Sequence, residues 1–115
     1  MSSSCIFCRI ATYELAATIV HDDEHTIAFR DLHPKAPTHI LIIPKEHVST
    51  VNDVEPENAE ALGHLFLAAR SIAEAEGLSK RGYRLVMNTG SDSGQTVGHI
   101  HLHLMGGRAM TWPPG

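Results

Sequence analysis

Between residues 56 and 76 apolar side chains recur at helical spacing, at Leu62, Leu65, Phe66, Ala69, Ile72 and Ala73. Such a stripe is what one core-facing side of a helix presents. Pro56 suits the first helical position and Gly77 suits a stop, so one long helix is predicted between them. Leu67 and Ala68 widen the stripe beyond what a single sheet face covers, which predicts contact with a partner. A short helix is predicted over residues 6–15, with Ile6, Phe7 and Ile10 on one side. The other periodic segments read as strands. Residues 18–21 and 26–32 flank the turn-prone Asp22-Asp23-Glu24 and predict a hairpin. HILIIP, residues 39–44, is an apolar run of strand length and predicts a central strand covered on both faces. YRLVMN, residues 83–88, alternates, and so does GHIHLHL, from Gly98 to Leu104. DLHPKAP and NTGSDSGQTVG read as loops. Strands outnumber helices, so the expected class is α+β with a mainly antiparallel sheet.

At 115 residues the chain reads as a single domain, 1–115, large enough to hold a core. Its net charge is −4 and it has no basic cluster. Charge-driven binding to nucleic acid or to an anionic membrane is thereby disfavoured. No apolar stretch approaches the ~20 residues of a membrane span. The opening MSSSC lacks the apolar core of a signal peptide, and the cysteines, Cys5 and Cys8, lie too close together to brace a fold. The expected location is the cytoplasm.

Nine histidines are many for this length, and three of them, His99, His101 and His103, alternate with Ile100, Leu102 and Leu104. On a strand the apolar set faces the core, and the imidazoles are expected to face solvent, ligand or polar partners. One metal held by all three is geometrically poor. His99 and His103 would stand roughly 13 Å apart at ~3.3 Å per residue, whereas metal–nitrogen bonds are ~2.0–2.1 Å. Nucleophilic attack on phosphorus suits a neutral imidazole near neutral pH. The preceding loop, with Gly90, Gly94 and Gly98, allows close approach of backbone to a phosphate. Cys5 and Cys8 have the two-residue spacing that puts two thiolates on one metal, and no strand precedes them as a redox motif requires. Asp31 ends a strand ahead of a proline loop, where a carboxylate can hold a diol or start a turn. His21, His25, His33 and His64 are assigned no chemistry.

Four stretches carry a resemblance: CIFCRI, AFRDLHPKAPTHILIIPKEHV, GYRLVMNTGSDSGQTVGHIHLHLMGG and GGRAMTWPPG. Together they span nearly the whole chain. The sequence resembles the histidine-triad (HIT) family, and within it the nucleotide-binding branch that hydrolyses purine nucleoside phosphoramidates. The resemblance implies a five-stranded antiparallel sheet with one long and one short helix, paired into a homodimer with a ten-stranded sheet. It implies cleavage of the P–N bond of AMP- or GMP-amine compounds through a nucleotidyl-histidine. His101 then corresponds to the nucleophile, and His103 to the residue that hydrogen-bonds the phosphate. Thr96 stands where the branch usually has serine beside the scissile bond, and His39 matches a supporting histidine. Gly94 and Gln95 match backbone phosphate contacts, Asp31 the ribose carboxylate, Leu32 the base pocket and Asn88 a polar contact near sugar and phosphate. Trp112, in the tail, is expected to reach the partner's site. The resemblance to zinc-containing members adds His47 and His99 to Cys5 and Cys8 as ligands of a structural zinc that the chemical step does not need. Position 98 is glycine where close relatives often carry tyrosine, which widens the expected entrance. Two other readings compete: a dinucleoside polyphosphate hydrolase of the same superfamily, which the TWPPG tail disfavours, and a nucleotide-sensing interaction module.

Overall fold

The computed structural model describes residues 4–115. Its elements follow in the order α1 (Ile6–Ala11), β1 (Ile19–Asp22), β2 (Thr26–Arg30), β3 (Thr38–Pro44), α2 (Ala59–Ala75), β4 (Tyr83–Val86) and β5 (Leu102–Gly106), with two 3₁₀ turns before α2 and one in the loop before β5. The strands form one five-stranded sheet in the order β1-β2-β3-β5-β4, antiparallel at every pairing. This is the expected α+β architecture.

The apolar run 39–44 becomes the central strand β3, buried along nearly its whole length. Its alternate residues serve two cores. Ile40 and Ile42 pack with Leu65, Ala69 and Ile72 of α2, and Leu41 and Ile43 pack with Phe7 and Ile10 of α1. Each fully buried isoleucine contributes about 1.5–3 kcal/mol relative to exposure. Helix α2 thus covers one face of the sheet. The other face carries α1 and, further along, the histidines.

Several predicted boundaries move. The short helix stops at Ala11 rather than residue 15, because Tyr13 takes a positive φ of 65° and the N–H groups of Glu14 and Leu15 both return to the Arg9 carbonyl. Residues 56–58 form a 3₁₀ turn started by Pro56, and α2 proper begins at Ala59. Strand β4 ends at Val86, short of Asn88. The histidine strand β5 begins at Leu102, not Gly98. Upstream of it the His99 N–H turns to the Val97 carbonyl and the Ile100 N–H reaches Val48, which draws this segment off the ladder. Of the imidazoles expected to meet solvent, ligand or polar partners, His99 is 0% exposed and His101 is buried, and both meet polar partners rather than solvent. Phe7 covers both, its ring 5.9 Å from that of His99 and 5.2 Å from that of His101. On α2, Ala68 lies in the core, whereas Phe66 and Leu67 are 57% and 51% exposed. Gly107, just past β5, has φ 93°, and a Cβ there would lie 2.8 Å from the Pro37 ring. Any other residue would be strained and would push on the proline loop that carries Lys35.

Candidate active site and metal centre

Two clusters of chemistry-bearing side chains meet around the segment 96–103. The first lies on the α1 side of the sheet. His39 of β3 and His103 of β5 are diagonal neighbours, since Leu41 pairs with His103 and His39 with Met105. The Lys35 N–H donates to His39 Nδ1 at 3.0 Å. A neutral His39 therefore carries its proton on Nε2, which meets His103 Nδ1 at 2.9 Å. That bond in turn places the His103 proton on Nε2. Burial first, then the neighbouring His101 and His39, push the His103 pKa down to about 4 against the opposing pull of Asp31. Burial likewise lowers His39, partly offset by Asp31, whose Oδ2 lies 3.5 Å from His39 Nε2. Both rings are neutral donors and acceptors at neutral pH. Asp31 starts a turn as well, because its Oδ1 accepts the His33 N–H at 2.7 Å.

His101 is held by a different partner. Its Nδ1 lies 2.8 Å from the His99 carbonyl, which only accepts, so Nδ1 carries the proton and Nε2 keeps its lone pair. The ring stands 5.0 Å from that of His103 at 62°. Both line a pocket of ≈ 380 Å³ together with Thr96, Asp31, Leu32, Phe29 and the apolar side of α1. A nucleotide-sized ligand fits such a volume. Leu32 stands 88% exposed at its rim. The arrangement offers one lone pair, one opposing N–H and one hydroxyl to a ligand whose apolar part lies against Ile6, Ile10 and Leu32.

The remaining expected contacts lie elsewhere. Gly94 and Gln95 do not line this pocket. Their backbone N–H groups donate to Ser91 and Gly90, and the Gln95 side chain braces the loop by bonding Gly90, Ser49 and Val97. Asn88 and Trp112 lie outside the pocket too, with Trp112 82% exposed. Gly98 lines an adjoining hollow with Cys5, His47 and Thr96, and a Cβ there would meet nothing within 4 Å.

The second cluster gathers Cys5, Cys8, His47 and His99. His99 Nε2 donates to the Pro44 carbonyl at 2.9 Å, leaving Nδ1 as a lone pair aimed at the thiols. His47 Nε2 lies 3.3 Å from Ser49 Oγ, and its Nδ1 faces the cluster. His47 Nδ1 and His99 Nδ1 are 3.1 Å apart, Cys8 Sγ is 3.2 Å from His47 and 3.6 Å from His99, and Cys5 Sγ is 3.5 Å from His99. The edges of a tetrahedron with bonds of ~2.0–2.3 Å are about 3.3–3.8 Å long. Donor identity and spacing therefore suit a four-coordinate metal. Burial lowers the His99 pKa to about 4, which favours the neutral form that metals require.

Sequence reasoning did not find Phe7 as the lid over both histidines, nor the orienting groups Pro44, Lys35 and Ser49. Two of those three act through main-chain atoms, which leave no residue-type signal.

Fold and site together define a histidine-triad domain, and the HIT domain model matches residues 12–110. The chain belongs to the HIT family. It is 50% identical to the purine nucleoside phosphoramidase of Escherichia coli K12, over 96% of this chain and 92% of that one. An uncharacterised HIT-like protein of Synechococcus elongatus is 49% identical over the whole of both chains. Among solved structures, a HIT family hydrolase from Legionella pneumophila superposes with a TM-score of 0.95 at 56% identity, covering 97% of this chain and all of that one.

Proposed function

We propose that this chain hydrolyses purine nucleoside 5′-monophosphoramidates through a nucleotidyl-histidine. The observation that carries the reading is His101. Its Nδ1–H is held by the His99 carbonyl, and it keeps an Nε2 lone pair on a ring that lines the pocket beside His103. Half the residues are shared with an E. coli relative named purine nucleoside phosphoramidase, which favours the P–N bond as the target. His101 Nε2 attacks the phosphorus, an N–P bond forms, and the P–N bond to the amine breaks. The amine leaves with a proton taken from solvent, and water then adds its oxygen to phosphorus, breaks the N–P bond and returns a proton to solvent, which restores neutral His101 and releases the monophosphate. His103 Nε2–H and the Thr96 hydroxyl donate to phosphate oxygens, where charge develops. His39 holds His103 in the donating tautomer. Asp31 retains Oδ2 for the ribose diol, and Leu32 with the α1 side chains takes the base. Gly94 and Gln95 brace the loop that carries Thr96.

The Cys5, Cys8, His47 and His99 cluster holds a structural zinc in this reading, and His99 gives its ring to that ion alone. Zinc would tie the N-terminal segment to the start of the histidine segment, and the chemical step proceeds on the chain's own groups. Exposed Phe66 and Leu67 and the edge strand β4 suit a homodimer, in which the partner's Trp112 approaches the pocket. Reduced thiols in a metal cluster suit the cytoplasm. Among the described residues no helix is long and apolar enough to cross a membrane.

The test compares turnover of an adenosine 5′-phosphoramidate with that of a diadenosine polyphosphate. The expected outcome is a large preference for the phosphoramidate. A preference for the polyphosphate would replace the assigned substrate class, and no turnover of either would favour a binding module.

A further inference from the structure

We infer that His25, Glu60 and His64 form a second metal site, selective for a borderline transition ion such as zinc, that staples the β1–β2 hairpin to α2. The three residues come from two elements. His25 stands in the turn between β1 and β2, and Glu60 and His64 are one helical turn apart on α2. One ligand atom from each lies within 4.8 Å of the other two. The two imidazole rings already stack, 4.1 Å between centroids at 15°. A tetrahedral ion needs its nitrogen donors about 3.3 Å apart, given bonds of ~2.0–2.1 Å. Stacked rings hold their in-plane lone pairs nearly parallel, so binding requires the two imidazoles to unstack and turn one nitrogen each toward the ion.

The turn that delivers His25 is rigid. Its N–H donates to Asp23 Oδ1 at 2.8 Å, and its carbonyl accepts the Lys45 N–H at 2.8 Å. A ligand on a pinned turn facing ligands on a helix is the preorganised arrangement a metal site requires. Two imidazoles and one carboxylate favour zinc, nickel, cobalt or copper over calcium or magnesium, which prefer all-oxygen shells. Three protein ligands leave a coordination position for water, so the ion should exchange faster than one held by Cys5, Cys8, His47 and His99. No residue is common to the two clusters. The placement also has a mechanical meaning. Arg30, at the far end of β2, makes a two-pronged ion pair with Glu76 just past α2, at 2.9 and 3.0 Å. A metal at His25 would tie the near end of the same strand to the first turns of the helix. Strand β2 leads directly into Asp31.

The test is a zinc titration of the full chain against a chromophoric chelator, with wild type, His25→Gln, His64→Gln and Cys8→Ser. Each histidine variant should bind one zinc fewer per subunit than wild type. Cys8→Ser should keep the site, and zinc should raise its melting temperature. Melting in chelator reads whether the histidine variants are folded, and they should match wild type there. Equal zinc stoichiometry and affinity in wild type and both histidine variants would overturn the inference. Because the reading is a difference between chains that share the cysteine cluster, failure of that cluster to bind metal would leave it intact.

Discussion

His99 and His101 lie two residues apart, and both are buried under Phe7, yet each turns a different nitrogen toward its surroundings. His99 gives its Nε2 proton to the Pro44 carbonyl and shows Nδ1 to two thiols and His47. His101 gives its Nδ1 proton to the His99 carbonyl and keeps an Nε2 lone pair on a ring that lines the pocket. The residue type is the same and so is the burial. What differs is which nitrogen the backbone takes, and in the proposed function that choice decides whether the imidazole serves a metal or a phosphorus atom. His103 is a third case, in which another side chain sets the tautomer and leaves a donor.

The comparison breaks most completely at His101. His101→Gly should lower turnover by about 10⁴–10⁶-fold, the scale of losing a nucleophile. Nucleotide binding measured by calorimetry should survive, because the ribose and base contacts remain. The opposite variant, Cys8→Ser, should lose the zinc of the cysteine cluster, one ion fewer per subunit than wild type by elemental analysis, and several degrees of melting temperature while turnover stays within about tenfold of wild type. If chelation stops catalysis while the fold stays intact, the ion is part of the chemistry and the division between His99 and His101 is wrong. His39→Phe removes the donor that sets His103. It should reduce kcat by about 10–100-fold with a smaller change in KM, since a misplaced group costs mainly in the transition state. Steady-state kinetics with a phosphoramidate reads that split.

The smallest expected effect is on stability against pH. His103 titrates at about 4 in the folded chain against an ordinary value of 6.5, and His39 is also lowered, both first through burial. Between those values the unfolded chain binds more protons than the folded one. Stability should therefore be full above pH 6.5, fall as pH drops through that window and level off near pH 4. Urea midpoints taken in chelator should show this slope. His103→Asn should reduce it, leaving the shares of His39 and of His99, which burial also lowers to about 4, and an unchanged slope would remove His103 from the account.

Much of the fold was legible because apolar periodicity reports burial directly. The run 39–44 became the two-sided central strand, and the stripe after Pro56 became α2. The resemblance supplied the residues that meet in the site: His101, His103, Thr96, Asp31 and Leu32 share one pocket, and the four expected metal donors share one cluster. Alternation set the imidazoles opposite the apolar residues but left open whether solvent, ligand or polar partners meet them. It also assumes a regular strand from Gly98. The chain curls before Leu102, and α1 supplies Phe7 as cover, a contact between residues nearly a full chain length apart. The tautomers were not legible either, because the Pro44 and His99 carbonyls that set them are common to every residue type. His25 and His64 looked like ordinary surface histidines for the same reason: only folding brings the hairpin turn against α2.

The most direct test of the division of labour is intact-protein mass spectrometry after rapid acid quenching with an adenosine 5′-phosphoramidate. The account predicts a transient adduct of one nucleotidyl group per subunit, mapped by fragmentation to His101, in zinc-loaded and zinc-stripped protein alike. An adduct on His99 or His103, or turnover with no adduct at any quench time, would contradict it.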